Sequence, residues 1–368
     1  MEIRPNYLAR LERVRREMAD RSIDAVLLSV GHDLPYLTGY HAMPLERLTL
    51  LVVRMDSTPQ MLVPRLEVPR VVPQPGVFEV VAWNETDDPV AMAAKMLVGA
   101  KTIAVGDQMW ARFLVELLAH LDGARFTRAV DVVGALRAAK DLEEIEALRR
   151  AGAAADRVAL ELQTGLIPLV GRTEAEVSAD ISARLIREGH DVVNFAIVAA
   201  GENAASPHHH PSDRVIKKGE IVLCDFGGTM NGYCSDITRC VFTGEPIPEV
   251  REAYAVLQRA QKAGVEAGRV GGTCESVDAA ARRIIDEAGF GEYFVHRTGH
   301  GIGMEAHEEP YMVNGNRTSI VAGHAFSVEP GIYIPGKWGM RLEDIVVATA
   351  TGPDSMNRAN HDLVSVNV

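Results

Sequence analysis

Acidic residues placed beside apolar, β-prone runs constrain the fold of this chain more than any other feature. The stretch EIVLCDFGGTMNGYCSDITR (220–239) sets Asp225 directly after four apolar residues, and Asp236 stands eleven residues later at the start of a second such run. Singly, each aspartate is typical of a turn or a cap, and the glycine-rich FGGTMNG predicts that the first strand ends at Asp225. If both strands are buried, each carboxylate needs a partner, because an unpaired buried charge is costly.

Histidines in a glycine-rich setting follow further along the chain, in HRTGHGIGMEAHEEP (296–310). His300 stands between Gly299 and Gly301, as expected where the backbone passes close to a ligand. His307 comes seven residues later, so it lies near His300 only if the intervening segment bends. Both imidazoles are therefore candidates for one site.

Two glutamates repeat the pattern of an acid at the edge of an apolar strand. Glu329 interrupts FSVEPGIYIP (326–335), where a Pro-Gly pair predicts a turn, and Glu343 precedes the apolar run 345–348. Singly, each is typical of a solvated strand end. Four acids and one histidine beside such strands share one explanation if they coordinate divalent cations, since a cation makes a buried carboxylate tolerable. An oxygen-rich set with one imidazole favours Mn, Fe or Co over Cu.

Length and charge narrow the classes of protein. For 368 residues two domains are expected, and 47% hydrophobic with 24% charged residues suits a globular protein. The formal net charge of −12 argues against a nucleic-acid partner, which requires a basic face. The charged segment MEIRPNYLARLERVRREM does not have the pattern of a signal peptide, and no apolar run approaches the roughly 20 residues of a membrane span. A cytoplasmic protein without a membrane anchor is the expectation.

The four cysteines, Cys224, Cys234, Cys240 and Cys274, form no CxxC pair and have no disulfide-like spacing. Three of them crowd together, which makes a zinc site an alternative, but burial as small apolar side chains fits them better. Free thiols indicate a reducing compartment.

An alternation of short strands and helices predicts an α/β domain over residues 1–135. Residues 6–20 carry apolar side chains at helical spacing, and 89–98 and 110–121 are also expected to be helical. Runs rich in Val, Ile and Leu predict strands at 24–30, 48–53, 60–64, 78–83 and 102–106.

The pattern changes at a long Ala-, Leu- and Glu-rich helix predicted over 137–163, and we place a domain boundary just before it. Asp141 and Glu144 fit a capping box near its start. Further helices, interleaved with strand-like runs, are predicted over 173–188, 248–268 and 274–288. The second domain, residues 136–368, is therefore expected to be α+β.

Four motifs in chain order, CDFGGTMNGYCSDITR, TGHGIGMEAHEEP, SVEPGIY and MRLED, resemble those of the pita-bread metallopeptidases, the family of methionine aminopeptidase, aminopeptidase P and prolidase. The resemblance implies an α+β chain with a pita-bread catalytic domain over 136–368, preceded by a smaller α/β creatinase-type N-terminal domain over 1–135. The N-terminal domain, with SVGHDLPYLTGY (29–40), resembles the prolidase and aminopeptidase P branch, because methionine aminopeptidases usually lack it.

The resemblance also implies a role for each acid. Asp225 would bind one of two divalent metal ions, and Asp236 with Glu343 would bridge both. His300 and Glu329 would complete the second metal site, where Glu329 would also shuttle a proton. Manganese is the expected ion, with cobalt, zinc or iron as alternatives, because the ligand set accepts several.

Three more residues take roles by the same resemblance. His307 and His208, the latter within SPHHHPSD, are expected to contact the scissile peptide as substrate-binding and catalytic groups, a role that suits histidine. The alternative for the three consecutive histidines is a solvated loop, which we favour for His209 and His210. Arg341 is expected to orient a ligand carboxylate, and the alternative is a plain surface arginine.

The implied reaction is hydrolysis of an Xaa-Pro bond in a di- or oligopeptide, by an Xaa-Pro dipeptidase (prolidase) or a short Xaa-Pro aminopeptidase that forms a homodimer. Tyr311 departs from the pattern, because several prolidases carry there an arginine that meets the substrate carboxylate, so substrate length stays open. A metal-dependent hydrolase or lyase of the same fold with a small non-peptide substrate is an alternative, since fold does not fix function. A non-catalytic binding protein would be expected to lose metal ligands, and this chain keeps all five.

Overall fold

The computed structural model describes residues 6–366. The chain divides into two compact units, which we call unit 1 (Met1–Arg137) and unit 2 (Ala138–Val368). No helix within the described residues is long and apolar enough to cross a membrane. Each unit builds its own sheets and core, so each is described separately.

Unit 1 is centred on one mixed sheet. Its strands are β1 (Ala25–Leu28), β2 (Leu50–Arg54), β3 (Gln60–Pro64), β4 (Glu79–Trp83), β5 (Thr102–Val105) and β6 (Arg125–Arg128). They lie in the order β4-β3-β2-β1-β5-β6, with β1 antiparallel to β2 and parallel to β5. The five predicted strands are confirmed. The sixth strand, β6, was not predicted. It lies at the edge of the sheet and is largely polar, so it has no apolar run in the sequence.

The helices up to the end of unit 1 are α1 (Tyr7–Asp20), α2 (Asp33–Thr38), α3 (Pro89–Met96), α4 (Ala111–Leu118) and α5 (Val133–Ala138), the last ending at the first residue of unit 2. Residues of α3 and α4 pack with the strands of the sheet in one core cluster. The helices predicted over 6–20, 89–98 and 110–121 are confirmed to within a few residues. Leu11, Val14 and Met18 are buried on one face of α1, the spacing of three and four residues that predicted the helix.

Unit 2 contains four longer helices in the described part of the chain: α6 (Leu142–Gln163), α7 (Glu174–Arg187), α8 (Pro248–Ala267) and α9 (Cys274–Glu287). The capping box predicted at Asp141 and Glu144 is present. It sets the start of α6 at Leu142 rather than at residue 137, because Asp141 has the extended backbone of a cap.

The strands of unit 2 are β7 (Val192–Ala200), β8 (Ile221–Met230), β9 (Tyr233–Cys234), β10 (Ile237–Thr243), β11 (Gly299–Gly301), β12 (Glu308–Met312), β13 (Ala325–Val328), β14 (Gly331–Ile334), β15 (Trp338–Arg341), β16 (Asp344–Thr349), β17 (Gly352–Ser355) and β18 (Val364–Val366). One sheet has the order β18-β10-β8-β7, with β9 paired to β8. A second has the order β12-β11-β13-β16-β17, and β14 pairs with β15 in a ribbon. The expected mixture of helices and strands is confirmed.

The prediction that a strand ends at Asp225 is wrong. β8 continues through Asp225 to Met230, and the turn lies at Asn231 and Gly232, whose φ angles are 50° and 82°. Glycine inside the strand serves close packing instead of a turn. A Cβ on Gly227 would lie 2.1 Å from the carbonyl oxygen of Ser235.

The side chains of β8 point alternately to the two faces of its sheet, and this alternation determines which of them face the site. Val222 and Cys224 of β8 pack in the core cluster that contains α6 and α7 residues. Ile221 and Leu223 pack in the opposite cluster with residues of α8 and α9. Because successive side chains of a strand point to opposite faces, Asp225 shares the face of Leu223.

The four cysteines are buried and free, as the apolar interpretation predicted. Cys224, Cys240 and Cys274 belong to three different core clusters. Burial raises the pKa of Cys240 to about 12 and that of Cys274 to about 11. The group of metal-binding geometry found among residues 6–366 contains no cysteine, so the zinc alternative receives no support.

Candidate active site

A cavity of about 590 Å³ in unit 2 collects the residues that the sequence singled out. Its lining includes Asp225, Asp236, His300, Glu329, Glu343, His208, His307 and Arg341. The rest of the wall consists of Phe195, Ile197, Pro207, His296 and Arg297. His208 and Glu343, which lie 135 positions apart in the chain, thus share one cavity.

Strand pairing brings the four acids together. Asp225 lies within β8, and Asp236 comes directly before β10, which pairs antiparallel with β8. Glu329 follows β13 and Glu343 precedes β16, and these two strands also pair antiparallel. An antiparallel bridge between Thr238 and Glu343 joins β10 to the start of β16. The bridge therefore connects the sheet that carries the two aspartates to the sheet that carries the two glutamates.

Three of these side chains already have the geometry of a metal site. One ligand atom each of Asp236, His300 and Glu343 lies within 4.8 Å of the others, and all three residues are buried. The Nε2 atom of His300 is 3.8 Å from Asp236 Oδ2 and 3.3 Å from Glu329 Oε1. Its Nδ1 atom is 3.0 Å from the carbonyl oxygen of Gly301, so Nδ1–H donates there and the Nε2 lone pair faces the carboxylates.

Burial sets the charge state of the cluster. It lowers the pKa of His300 to about 3, which keeps the imidazole neutral and able to act as a ligand. Burial and the neighbouring carboxylates raise the pKa of Asp236 and of Glu343 well above the usual range. Burial, opposed by Arg341, raises the pKa of Glu329 to about 7. The charge of Arg341 therefore does not compensate all four carboxylates of the cavity.

Two buried carboxylate oxygens lack a hydrogen-bond partner in the described part of the chain and are therefore candidate ligand atoms for a cation. The Oδ1 atoms of Asp225 and Asp236 have no hydrogen-bond partner within residues 6–366. A buried polar atom without a partner costs free energy, whereas a carboxylate that coordinates a cation does not bear this cost. Four carboxylates, one neutral imidazole and two unsatisfied oxygens fit divalent metal ions.

Arg341 is only 2% exposed, so the alternative of a surface arginine is wrong. One terminal nitrogen donates to Asp225 Oδ2 at 2.5 Å, and its Nε donates to Thr238 Oγ1 at 3.1 Å. The Thr238 hydroxyl donates in turn to Glu343 Oε2 at 2.6 Å. Arg341 thus orients one acid directly and a second through a hydroxyl.

His307 reaches the site because the segment after His300 bends. The two ring centroids are 3.9 Å apart, with the planes at 41°. The glycines beside His300 make room for neighbouring backbone, not for a ligand, contrary to the expectation. A Cβ on Gly299 would lie 1.9 Å from the carbonyl oxygen of Ser327, and one on Gly301 would lie 2.4 Å from that of Glu309.

The three consecutive histidines separate. His208 lines the cavity although it is exposed to solvent. His209 is half-buried, and its Nε2 lies 2.8 Å from Glu174 Oε2, so it fastens the loop to α7 instead of standing in solvent. His210 is exposed and lies outside the lining of the cavity.

The sequence reasoning missed several residues that line the cavity or hydrogen-bond to its lining. Tyr333 receives a hydrogen bond from Arg341 at 2.8 Å, and its hydroxyl lies 2.8 Å from His296 Nε2. Arg297 lines the cavity beside His296. Both precede His300 in the HRTGHG segment, and this proximity was the available signal. Thr238 carried none, because a threonine in a strand is common.

Comparisons with known proteins agree with this geometry. Residues 146–350 match Metallopeptidase family M24, and residues 10–139 match the Creatinase/Prolidase N-terminal domain. A Mycobacterium tuberculosis protein named Probable dipeptidase PepE is 46% identical over 98% of this chain and 97% of its own length. An Xaa-Pro dipeptidase of Lactobacillus helveticus is 37% identical over 96% of this chain and 98% of its own length. The crystal structure of a Thermococcus sibiricus prolidase superimposes with a TM-score of 0.92 at 34% identity, covering 99% of this chain and 100% of that one.

The chain belongs to metallopeptidase family M24, and in its sequence a creatinase-type N-terminal domain precedes the domain with the pita-bread fold. Within the family it falls in the prolidase branch, and it is a peptidase. These findings agree with the resemblance that the sequence motifs carry.

Proposed function

We propose that the chain hydrolyses Xaa-Pro peptide bonds with two divalent metal ions. The observation that carries the proposal is the convergence of four buried carboxylates and a neutral histidine in one cavity, with two carboxylate oxygens left unsatisfied. The roles implied by the family motifs fit these positions. By these motifs Asp225 would hold one ion, Asp236 and Glu343 would hold both, and His300 with Glu329 would hold the other.

Bound there, such ions supply Lewis acidity and lower the pKa of water toward neutrality. The residues of the chain supply the rest of the chemistry. Without metal, burial raises the pKa of Glu329 to about 7, and Ser327 Oγ donates to its Oε1 at 3.1 Å, so this carboxylate is placed to hold and pass on a proton. Glu329 would take a proton from the attacking water, whose hydroxyl goes to the carbonyl carbon, and would give it to the proline nitrogen as the C–N bond breaks.

His307 and His208 act on the peptide itself. Burial, followed by the charge of Arg297, lowers the pKa of His307, so its ring is a neutral hydrogen-bond donor at neutral pH. We place it at the carbonyl oxygen of the scissile bond, and His208 at the mouth of the cavity beside it. An Xaa-Pro amide has no N–H group. A cavity that binds the carbonyl oxygen of the scissile bond does not need an N–H group on the substrate.

The names of the relatives support a dipeptidase in particular. The M. tuberculosis and L. helveticus proteins are both called dipeptidases, and each covers nearly the whole chain. We further propose manganese as the ion, on the oxygen-rich ligand set. A homodimer is proposed on the family resemblance, and a cytoplasmic location on the four free cysteines.

The test is cleavage of a panel of Xaa-Pro dipeptides and Xaa-Pro-Yaa tripeptides, followed by chromatography of the products. Protein stripped of metal is reloaded with Mn, Co or Zn, and Glu343→Ala serves as the inactive control. Cleavage of dipeptides alone supports the dipeptidase, whereas cleavage of tripeptides supports an aminopeptidase. No cleavage by protein that demonstrably binds metal contradicts the proposal and favours a small non-peptide substrate.

A further inference from the structure

Glu174, the first residue of α7, is a fully buried acid that lies outside the lining of the cavity. Its Oε1 atom accepts the N–H of Ala200 at 2.8 Å, and Asn203 Nδ2 donates to both carboxylate oxygens at 3.0 and 3.1 Å. Its Oε2 atom accepts the N–H and the hydroxyl of Ser212 at 3.2 and 2.6 Å and lies 2.8 Å from His209 Nε2. One acid thus binds the end of β7 and the connection that leads to β8.

These hydrogen bonds keep the carboxylate of Glu174 charged. Burial alone would raise its pKa, but the donors, first the hydroxyl of Ser212, outweigh burial and lower the pKa. Because an ionised carboxylate only accepts hydrogen bonds, the Nε2 atom of His209 carries the hydrogen and donates it. Hydrogen bonds to a charged group are roughly twice as strong as those between neutral groups. Glu174 is therefore a stronger anchor for this connection than a neutral side chain would be.

The connection contains an irregular segment, residues 206–212, which we call the histidine loop. It carries His208, whose exposed ring lines the cavity and makes no hydrogen bond within residues 6–366. Attachments flank it on both sides. Arg341 donates to the carbonyl oxygen of Pro207 at 3.3 Å, and His209 donates to the buried acid of α7. The direction in which the cavity histidine points therefore depends on these two neighbours in the chain.

The far end of the histidine loop is tied to the same turn of α7 by its backbone. The N–H of Glu174 donates to the carbonyl oxygen of Arg214 at 3.1 Å, and the N–H of Ala175 donates to that of Ser212 at 3.0 Å. Among the attachments to α7, the bond from His209 is the one next to the histidine that lines the cavity. Loss of this bond should therefore loosen the loop where it meets the cavity and leave its far end in place.

We propose that Glu174 is a positioning residue, which through His209 holds the histidine loop so that His208 faces the peptide in the cavity. The assignment rests on the proposed peptidase site and goes beyond it, because it gives a role in the reaction to a buried acid and to the second histidine of the loop. Both act through the geometry of His208. A misplacement of about 1 Å at a reacting group can cost up to about 100-fold in rate.

The test is a double-mutant cycle between His209 and His208, with kcat/KM for alanylproline measured on Mn-loaded protein in excess, so that slow variants remain measurable. His209→Phe keeps a ring but removes the donor, and it should lower kcat/KM by about 10- to 100-fold. In the His208→Ala background the same change should alter kcat/KM by no more than about 2-fold, because the loop then has no catalytic side chain to position. His209→Gln restores an N–H donor and should recover most of the activity. His210→Phe, at the exposed histidine outside the lining, is the matched control and should leave kcat/KM unchanged.

Glu174→Gln gives a second variant and a measurement without turnover. Its amide group takes the place of one carboxylate oxygen, so the donors of Ser212 and His209 lose the charged acceptor. Hydrogen exchange followed by mass spectrometry should show the amides of residues 206–212 exchanging about 10-fold faster or more in Glu174→Gln and in His209→Phe, the effect of losing a hydrogen bond to a charged group. Calorimetric titration with Mn²⁺ should give the wild-type affinity for both variants.

The two proposals fail in different ways. If His209→Phe lowers kcat/KM equally with and without His208, or not at all, Glu174 does not act through His208, and the Xaa-Pro peptidase stands. A loss of Mn²⁺ affinity in His209→Phe also overturns the assignment, because the effect then passes through the metal site. If the wild type cleaves no Xaa-Pro peptide while exchange of the loop quickens as expected, Glu174 still holds the loop and the peptidase proposal is rejected. Unchanged exchange in both variants overturns the assignment of Glu174.

Discussion

Thr238 is a small residue on which two functional side chains depend. It is fully buried in β10, accepts a hydrogen bond from Arg341 Nε and donates one to Glu343 Oε2. The hydroxyl therefore fixes the direction of a carboxylate that we place between two metal ions. Partners of this kind orient a ligand and set its basicity.

Replacing Thr238 by valine should weaken metal binding more than it weakens the fold. The affinity for Mn²⁺ is expected to fall by about 10- to 100-fold, the usual effect of losing such a partner. Thr243→Val is the matched control, since Thr243 lies in the same strand, is also buried, and donates to the Lys217 carbonyl at 2.8 Å. Calorimetric titration with Mn²⁺ measures both. Equal affinity in the two variants would contradict the role of Thr238.

The acid cluster should also show itself in the pH dependence of stability. In the metal-free protein the folded pKa of Asp236 is raised well above its usual range, and that of Glu329 from 4.5 to about 7. The folded state thus holds protons that the unfolded state releases. This contribution to stability is present below the unfolded pKa and is lost as the pH rises through the folded pKa.

Removal of one of these groups should flatten the curve. Between pH 5 and pH 8, a window that contains the raised pKa of Glu329, Tm of EDTA-treated wild type is expected to fall more steeply than Tm of Glu329→Gln. Saturating Mn²⁺ should raise the wild-type Tm at pH 8 and have much less effect on the variant. Scanning calorimetry over this range checks it, and parallel curves without metal would refute the explanation.

Among the secondary-structure elements, β10 and β16 are tied together beneath the site by one buried ion pair. Arg239 donates to Asp344 Oδ1 at 2.7 Å and to the carbonyl oxygens of Glu343 and Thr238, and neither member of the pair is more than 1% exposed at its side chain. Asp344 also meets His361 at 2.7 Å. The network holds the strand ends that carry the site.

Loss of Arg239 should therefore be severe. Arg239→Met leaves Asp344 with a poorly compensated buried charge, and the free energy of unfolding should fall by about 3–5 kcal/mol. The double variant Arg239→Met/Asp344→Leu should recover much of that loss. The exposed pair Arg251–Glu245 is the control, and Arg251→Met should cost less than about 1 kcal/mol. Urea unfolding measures all three; a double variant as unstable as the single one would contradict the argument.

A glycine in β8 is required by its neighbours in space. Because a Cβ on Gly227 would meet the Ser235 carbonyl oxygen at 2.1 Å, Gly227→Ala should destabilise unit 2 by about 1–3 kcal/mol, as overpacking does. Gly106→Ala is the control in unit 1, where the nearest atom would lie at 3.4 Å. The urea midpoint of unfolding is measured for both variants. Equal shifts in Gly227→Ala and Gly106→Ala would show that the backbone of β8 can move to accommodate the added methyl group, which would contradict the prediction.

At the scale of the whole molecule, the sequence predicted more of the site than of the strand boundaries. Asp225, Asp236, His300, Glu329 and Glu343 were recognisable because each acid stands beside an apolar run and the motifs match a family. The continuation of β8 past Asp225 was not recognisable. Gly227 has no side chain because the backbone of Ser235, 8 residues later in the sequence, packs against it. Local turn propensity cannot report a tertiary contact.

Arg297 and Tyr333 show the same limit at the site. Tyr333 acts through hydroxyl contacts with Arg341 and His296, which come from other strands and loops. The partner of Arg297 is a ring fourteen positions on, across the β11–β12 pairing. The position of Arg297 three residues before His300 is a signal in the sequence, but the contacts that Arg297 and Tyr333 make arise only when the sheets form.

The most direct test of the central claim is the number of manganese ions bound per chain, measured together with dipeptide cleavage. Wild type that has been stripped and then dialysed against Mn²⁺ should hold about two ions per chain and release proline from alanylproline, as a two-metal site requires. Asp225→Ala and Glu343→Ala should lose both the ions and the activity. Undiminished cleavage by metal-free protein, or wild-type turnover in either variant, would contradict the account.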